Sequence, residues 1–152
     1  LLFHLAAYAE RVRDMHFMLQ KEVVERMVAA PGDSEFGRLS VMLQYRFHLE
    51  WLLDVPPESF DPAPKVDSAV VRLIPRPESE CRVGDLALFE RVVATAFSQR
   101  RKMLRNTLKG LLNDASFAVL GINPTRRAED LSVSDYLRIA DHLATSGDKP
   151  LR

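Results

Sequence analysis

A short proline-rich segment, followed by an apolar stretch, most constrains how this chain can fold. Residues 60–68 read Phe-Asp-Pro-Ala-Pro-Lys-Val-Asp-Ser, and residues 69–74 read Ala-Val-Val-Arg-Leu-Ile. Pro62 and Pro64 each fix φ near −65° and lack a backbone donor, so residues 60–68 can form neither a helix nor an inner strand. The β-branched stretch after them predicts a strand. The sequence therefore predicts a stiff loop, here called the proline loop (residues 60–68), at the end of a strand, where α/β proteins place their sites.

Phe60 begins the proline loop among polar neighbours. An aromatic ring in such a position either caps the core or offers a flat surface to the ring of a ligand. The residues alone leave both interpretations open.

Charge is distributed unevenly along the chain. The formal net charge is zero, but residues 1–80 hold 9 Lys and Arg against 13 Asp and Glu, whereas residues 81–152 hold 12 against 8. This asymmetry places any surface for a polyanion in the second part.

The single cysteine, Cys81, excludes an intramolecular disulfide. Because we also find no membrane-spanning stretch and no signal-peptide pattern, we expect a cytoplasmic protein that does not bind membranes.

Hydrophobic periodicity predicts the remaining elements. Residues 15–19 are apolar with little alternation, which predicts a strand covered on both faces. Residues 46–53 alternate and predict a strand that pairs antiparallel with residues 66–74. Helices are predicted over residues 1–10, 20–29, 38–45, 84–97, 97–112, 114–120 (capped by Asp114) and, from a capping box at Ser132, to about 143.

Four motifs together resemble a known family. They are the proline loop, Gln-Lys-Glu-Val at 20–23, Gly-Arg-Leu-Ser-Val at 37–41, and Phe-Ser-Gln-Arg-Arg-Lys at 97–102. In this order, and over nearly the whole chain, they resemble the ribosomal RNA small-subunit adenine dimethyltransferases of the KsgA (RsmA) type. Members of that family carry their glycine-rich S-adenosylmethionine loop and an Asn-Leu-Pro-Tyr motif upstream of the position where residue 1 lies.

The resemblance implies an α/β fold. We expect part of a Rossmann-like S-adenosylmethionine methyltransferase sheet, namely its later strands with a closing antiparallel pair, followed by a small all-α C-terminal domain. The expected division is residues 1–75 for the methyltransferase part, 76–81 for a linker, and 82–152 for a helical rRNA-binding domain. We expect this portion to lack the N-terminal cofactor-binding half, to bind neither S-adenosylmethionine nor a metal, and to be inactive alone. Self-association through the open edge of the 15–19 strand is a further hypothesis.

The resemblance also assigns roles to residues. Phe60 is expected to stack on the target adenine. Substrate-loop residues are expected at Pro62, Pro64, Lys65 and Ser68, and a possible site rim at Gln20, Lys21 and Glu22. For the rim, a solvated first helical turn is an equally good interpretation.

A basic segment is the second informative feature. Five cations lie between residues 100 and 109 with no acid among them, and such a cluster is unfavourable unless a polyanion neutralises it. A solvated basic face is the alternative. With the resemblance, we expect contacts to the RNA backbone from Arg100, Arg101, Lys102, Arg105, Lys109, Arg126 and Arg127.

The implied function is dimethylation of adjacent adenosines near the 3′ end of small-subunit rRNA during ribosome biogenesis. The implied partner is the small-subunit rRNA in a pre-30S particle, and the implied cofactor of the complete enzyme is S-adenosylmethionine. Two alternatives stay open: a non-catalytic RNA- or ribosome-binding module, and a macrolide-resistance methylase acting on large-subunit rRNA.

Overall fold

The computed structural model describes residues 1–146, so the last residues of the predicted helical domain lie outside the described part. Three strands and seven α-helices form this part, with short 3-10 turns at Ala9–Arg11, Pro57–Ser59, Glu78–Glu80, Phe97–Gln99 and Ala128–Asp130. In chain order they are α1 (Leu2–Ala6), β1 (Met15–Gln20), α2 (Lys21–Val28), α3 (Arg38–Arg46), β2 (Phe47–Val55), β3 (Ser68–Pro75), α4 (Leu86–Ala96), α5 (Leu104–Thr107), α6 (Asp114–Leu120) and α7 (Val133–Thr145). Within residues 1–146, no helix is long and apolar enough to cross a bilayer.

The three strands form one sheet in the order β1-β3-β2, with both outer strands antiparallel to β3. The predicted antiparallel pair on either side of the proline loop is confirmed as β2 and β3, with a register shift between Trp51 and Leu53. The register places Ser68 opposite both Gln20 of β1 and Val55 of β2. The two ends of the proline-bearing connection are therefore anchored in one sheet.

The strand β1 differs from the prediction that both its faces are covered. Its side chains alternate between half-buried and exposed, and the exposed ones include His16 and Met18. The helices α2 and α3 cover one face of the sheet, where Val24, Leu43 and the β3 residues at 69, 71 and 73 are buried together. The prediction that both faces of β1 are covered is wrong for this chain, because every second side chain of the strand is exposed.

A second, larger hydrophobic cluster centres on α4 and α7, with Phe89, Val92 and Ile139 fully or almost fully buried. Phe36 and Val41, which precede β2, also belong to it. Contacts therefore run across the predicted linker. That linker is itself tied down: Arg76 Nε donates to the carbonyl of Gln44 at 2.8 Å, and the Tyr45 hydroxyl donates to the carbonyl of Cys81.

The caps of the later helices follow their sequence signals, with one correction. Ser132 and Asp135 form the predicted capping box of α7, where Ser132 Oγ accepts from the Asp135 N–H at 3.1 Å. The helix α6 ends at Gly121, whose φ of 64° is left-handed. Its cap is Asn113 and not Asp114, because Asn113 Oδ1 accepts from the Ser116 N–H at 2.9 Å.

The predicted helix over residues 97–112 is wrong. The chain passes through a 3-10 turn, turns again, extends at Met103 (φ −67°, ψ 152°) and then forms only the four-residue helix α5. Met103 makes an isolated antiparallel bridge with Arg127, and the Leu104 N–H donates to the Arg126 carbonyl at 2.8 Å. Hydrogen bonds to a distant segment replace those of a continuous helix. The N-terminal helix is also shorter than predicted and ends at Ala6.

Candidate active-site cleft and basic surface

The proline loop leaves Phe60 partly exposed. A 3-10 turn at Pro57–Ser59 precedes the residue, and the Phe60 N–H donates to the Pro57 carbonyl at 3.2 Å. Residues 61–67 are all exposed. The ring is therefore neither interred in the core nor free of the protein, which is compatible with stacking against a ligand ring.

An open cleft of about 450 Å³ lies between the start of α2 and the end of the proline loop. Its walls are built from Gln20, Lys21, Glu22, Glu25, Lys65, Val66 and Asp67. A backbone hydrogen bond from the Lys21 N–H to the Asp67 carbonyl, 2.9 Å long, ties the two sides together. The structure thus brings the expected rim residues and Lys65 to one place. Pro62 and Pro64 are exposed within the loop, and Ser68 is half-buried as the first residue of β3.

Lys21 is held by an acid that sequence reasoning missed. Its Nζ lies 3.1 Å from Asp54 Oδ2 and 5.8 Å from the centroid of the Trp51 ring, while Trp51 Nε1 donates to Asp54 Oδ1 at 2.9 Å. The hydrogen bond to Asp54 raises the pKa of Lys21 above its ordinary value. Lys21 therefore supplies positive charge and hydrogen-bond donors and is a poor base. No local signal pairs residues 33 positions apart, which is why Asp54 was missed.

Five of the seven predicted RNA-contacting cations lie on residues 101–105 and 124–127, two segments that are hydrogen-bonded to each other. Besides the bridge at Met103, the Arg105 N–H donates to the Pro124 carbonyl at 3.0 Å. The segments bring together exposed cations that we call the basic surface: Arg101, Lys102, Arg105, Arg126 and Arg127. Among residues 1–146, the ion pairs within 4 Å include none of these five. Lys109 is also exposed, beyond the end of α5.

Arg100 is placed differently from the other six cations. Its Nε lies 2.9 Å from Glu129 Oε2, and its Nη2 donates to the carbonyl of Phe36 at 3.2 Å and to that of Ser34. These contacts direct the guanidinium toward the protein.

The outer face of the sheet carries a charged row. Arg72 of β3 reaches Asp14 at 2.6 Å and Glu50 of β2 at 3.5 Å. The hydrogen bond from Arg72 is the largest influence on Asp14 and lowers the pKa of its carboxyl. Within residues 1–146, no group of three or more His, Cys, Asp or Glu side chains is arranged to hold a metal ion.

Comparison with known proteins decides the family. The model of the ribosomal RNA adenine dimethylase family matches residues 1–145 of this chain. The chain belongs to the ribosomal RNA adenine dimethylase family. This finding confirms the resemblance carried by the four motifs.

Relatives of the dimethylase family have high sequence identity to the chain. Proteins named ribosomal RNA small subunit methyltransferase A are 69% identical over 144 residues in Dechloromonas aromatica, 65% over 145 in Thiobacillus denitrificans and 60% over 147 in Chromobacterium violaceum. These alignments cover 95% to 97% of this chain but only 56% to 57% of the relatives. The chain thus spans little more than half the length of the curated relatives it matches.

Solved structures agree on the fold of this dimethylase region. A dimethyladenosine transferase from Plasmodium falciparum has a TM-score of 0.74 at 26% identity, covering 91% of this chain and 60% of that one. The 23S rRNA methyltransferase ErmE has a TM-score of 0.59 at 22% identity, covering 88% and 55%. The likeness to ErmE shows the fold alone. The expected α/β fold class is confirmed.

Proposed function

We propose that the whole protein to which this chain belongs is an S-adenosylmethionine-dependent rRNA adenine N6,N6-dimethyltransferase. It modifies adjacent adenosines near the 3′ end of small-subunit rRNA during ribosome biogenesis. The observation that carries the proposal is the 69% identity over 144 residues to a protein named ribosomal RNA small subunit methyltransferase A. This region supplies the loop that receives the base and the surface that holds the RNA.

The chemistry explains why an aromatic ring is needed. The exocyclic amine of adenine is a poor nucleophile, because its lone pair is delocalised into the ring. The enzyme therefore extrudes the base from its stack and holds the amine in line with the methyl group. Phe60, partly exposed at the head of a stiff loop, stacks on the extruded adenine. A phenyl ring binds a base without offering a competing hydrogen bond.

The cleft beside the proline loop contributes charge and shape. Lys21 is hydrogen-bonded to Asp54, and Lys65 lines the same cleft. We expect the ammonium group of Lys65 to contact the phosphates that flank the extruded nucleotide, with Gln20, Lys21, Glu22 and Ser68 at the rim. Pro62 and Pro64 keep the loop stiff, so little conformational entropy is lost when the base binds.

The basic surface binds RNA by shape. An A-form helix hides its base edges in a narrow major groove, so Lys and Arg side chains mainly contact phosphates and 2′-hydroxyls. Five exposed cations without an acidic partner among the described residues suit this role, and Lys109 extends the surface. We assign small-subunit rRNA in a pre-30S particle as the partner, which places the protein in the cytoplasm.

S-adenosylmethionine supplies the methyl group. The residues of this chain do not fit a site for it: the sequence has no G-x-G arrangement, and the described glycines with positive φ, Gly32 and Gly121, follow helices and not strands. We therefore propose that the cofactor is held by residues outside this chain, and that the chain alone is inactive. Among the described elements β1 has one neighbour, so its free edge offers a route to self-association that light scattering would detect.

The experiment is methyl transfer by the whole protein. Small subunits from cells lacking this methylation are incubated with the protein and labelled S-adenosylmethionine, and the modified nucleotides are mapped. We expect two dimethylated adenosines near the 3′ end of the small-subunit rRNA. Transfer only to large-subunit rRNA would instead favour the macrolide-resistance reading, and RNA binding without transfer would favour a non-catalytic module.

A further inference from the structure

The bonds of Arg100 connect three parts of the chain, and this sets it apart from the cations around it. We propose that the Arg100–Glu129 pair is a positioning latch that fixes the basic surface relative to the cleft. Arg100 is then a positioning residue and not an RNA contact. The enzymatic part of the inference rests on the proposed function, whereas the structural part does not.

The contacts form a closed set around the loop at residues 30–37. Arg100 donates from Nε to Glu129 at 2.9 Å and from Nη2 to the carbonyls of Phe36, at 3.2 Å, and Ser34. In return, the Gly32 N–H donates to the Glu129 carbonyl at 2.7 Å. Gly32 has a φ of 94°, which only glycine adopts without strain, so this donor is aimed by the backbone itself. Glu129 thus accepts a hydrogen bond from the loop at its backbone carbonyl and one from Arg100 at its side-chain carboxylate.

The latch joins the two features of the proposed function. Arg101 and Lys102 follow Arg100 directly, and Arg126 and Arg127 precede Glu129 in the same short segment. On the other side, the loop at residues 30–37 continues from α2, whose first residues line the cleft. The helix is eight residues long and spans about 12 Å.

The end of α2 that lies away from the cleft is hydrogen-bonded to α3. Gln44 Nε2 donates to the carbonyls of Met27, at 2.9 Å, and Ala29, at 2.8 Å, and Ser40 donates to that of Arg26. The loop at residues 30–37 connects this end of α2 to α3, so its fixation by Arg100 and Glu129 helps to hold α2 in place, and with it Lys21 at the cleft. Because methyl transfer depends on the alignment of the reacting groups, a displacement of about 1 Å can lower the rate by roughly 100-fold.

The alternative is that Arg100 contacts a phosphate, and the two readings predict opposite behaviour for Glu129. Removing an acid beside a phosphate contact strengthens RNA binding, whereas removing one partner of a latch weakens catalysis. The variants are Arg100→Gln, Glu129→Gln and the double variant in the whole protein. Arg91→Gln, an exposed arginine of α4, is the charge-matched control.

We expect Arg100→Gln and Glu129→Gln each to lower kcat roughly tenfold, with the double variant no worse than either single one. The RNA dissociation constant and its salt dependence should change less than about twofold, as with Arg91→Gln. Arg100→Lys, which keeps the charge but loses the fork of donors, should behave like Arg100→Gln. The latch is overturned if Glu129→Gln tightens RNA binding while Arg100→Gln lowers the salt slope by about one phosphate contact.

A second measurement separates this inference from the proposed function. Hydrogen exchange in the peptide covering residues 30–37 should accelerate roughly tenfold in Arg100→Gln and Glu129→Gln, but not in Arg91→Gln. If the wild-type protein transfers no methyl group, the proposed function fails while this exchange result still decides the latch. Unchanged exchange in both variants would refute it.

Discussion

The proline loop and the basic surface carry the two halves of the proposed function, yet different forces order them. The proline loop is shaped by its own residues: two prolines, a preceding 3-10 turn and a strand at each end. The basic surface is shaped by residues far away, because its two segments bond to each other through the bridge between Met103 and Arg127. Local stiffness orders the first, and packing plus long-range hydrogen bonds order the second.

This difference has a consequence for how each region tolerates change. A substitution in the proline loop should alter function while leaving folding almost intact, because residues 61–67 are exposed. A substitution under the basic surface should affect both, since Leu104 and Leu108 are fully buried beneath it.

The largest expected effect is on stability, from Leu104→Ala. Removing this fully buried side chain should lower the free energy of unfolding by about 2–5 kcal/mol. Phe60→Ala should lower it by only about 1–2 kcal/mol, because that residue is not fully buried. Urea unfolding of both variants measures the two values, and similar losses would erase the contrast between the regions.

The next effect is on rate, from Phe60→Ala. Base–aromatic stacking is worth about 1–3 kcal/mol, so methyl transfer by the whole protein should fall by roughly 5- to 150-fold. RNA affinity should change little, because the basic surface is untouched. Phe60→Tyr and Phe60→Trp keep a stacking face and should be milder. A normal rate of methyl transfer by Phe60→Ala would contradict the assignment of Phe60 to the active site.

A smaller effect concerns RNA affinity, from Arg101→Gln or Arg105→Gln. If each arginine neutralises one phosphate, the slope of log K against log salt should become shallower by about 0.7–0.9 per substitution. The maximal rate of methyl transfer should stay unchanged at saturating RNA. The matched control is Arg91→Gln, and a slope no different from that control would show that the basic surface is merely solvated.

The smallest effect concerns stability at acid pH. Charged side chains on the sheet form ion pairs, whereas among residues 1–146 those of the basic surface form none. Arg72 lowers the pKa of Asp14, so this pair stabilises the fold fully above the ordinary carboxyl value of 3.8. The contribution is lost as the pH falls through the depressed value in the folded state. Arg72→Met should therefore flatten the pH dependence of unfolding below about pH 4. An unchanged profile in that variant would mean that the pair contributes nothing.

What the sequence could predict follows the same division. The strand after the proline loop and the capping box at Ser132 are local signals, and both are confirmed. The predicted helix over residues 97–112 is wrong. Its apolar residues have a helical period, but the backbone N–H groups of Leu104 and Arg105 donate to the carbonyls of Arg126 and Pro124. The partners of Lys21 and Arg100 also lie far along the chain, at Asp54 and Glu129. A single sequence carries no signal for such pairs.

The account depends most on Phe60 receiving a base lifted out of its RNA stack. The direct measurement is the fluorescence of 2-aminopurine placed at the target adenosine of an rRNA fragment bound to the whole protein. Leaving the stack brightens this analogue, and stacking on an aromatic ring quenches it again. We predict that the bound RNA is clearly brighter with Phe60→Ala than with the wild-type protein, at equal occupancy. Equal fluorescence in the two complexes would contradict the account.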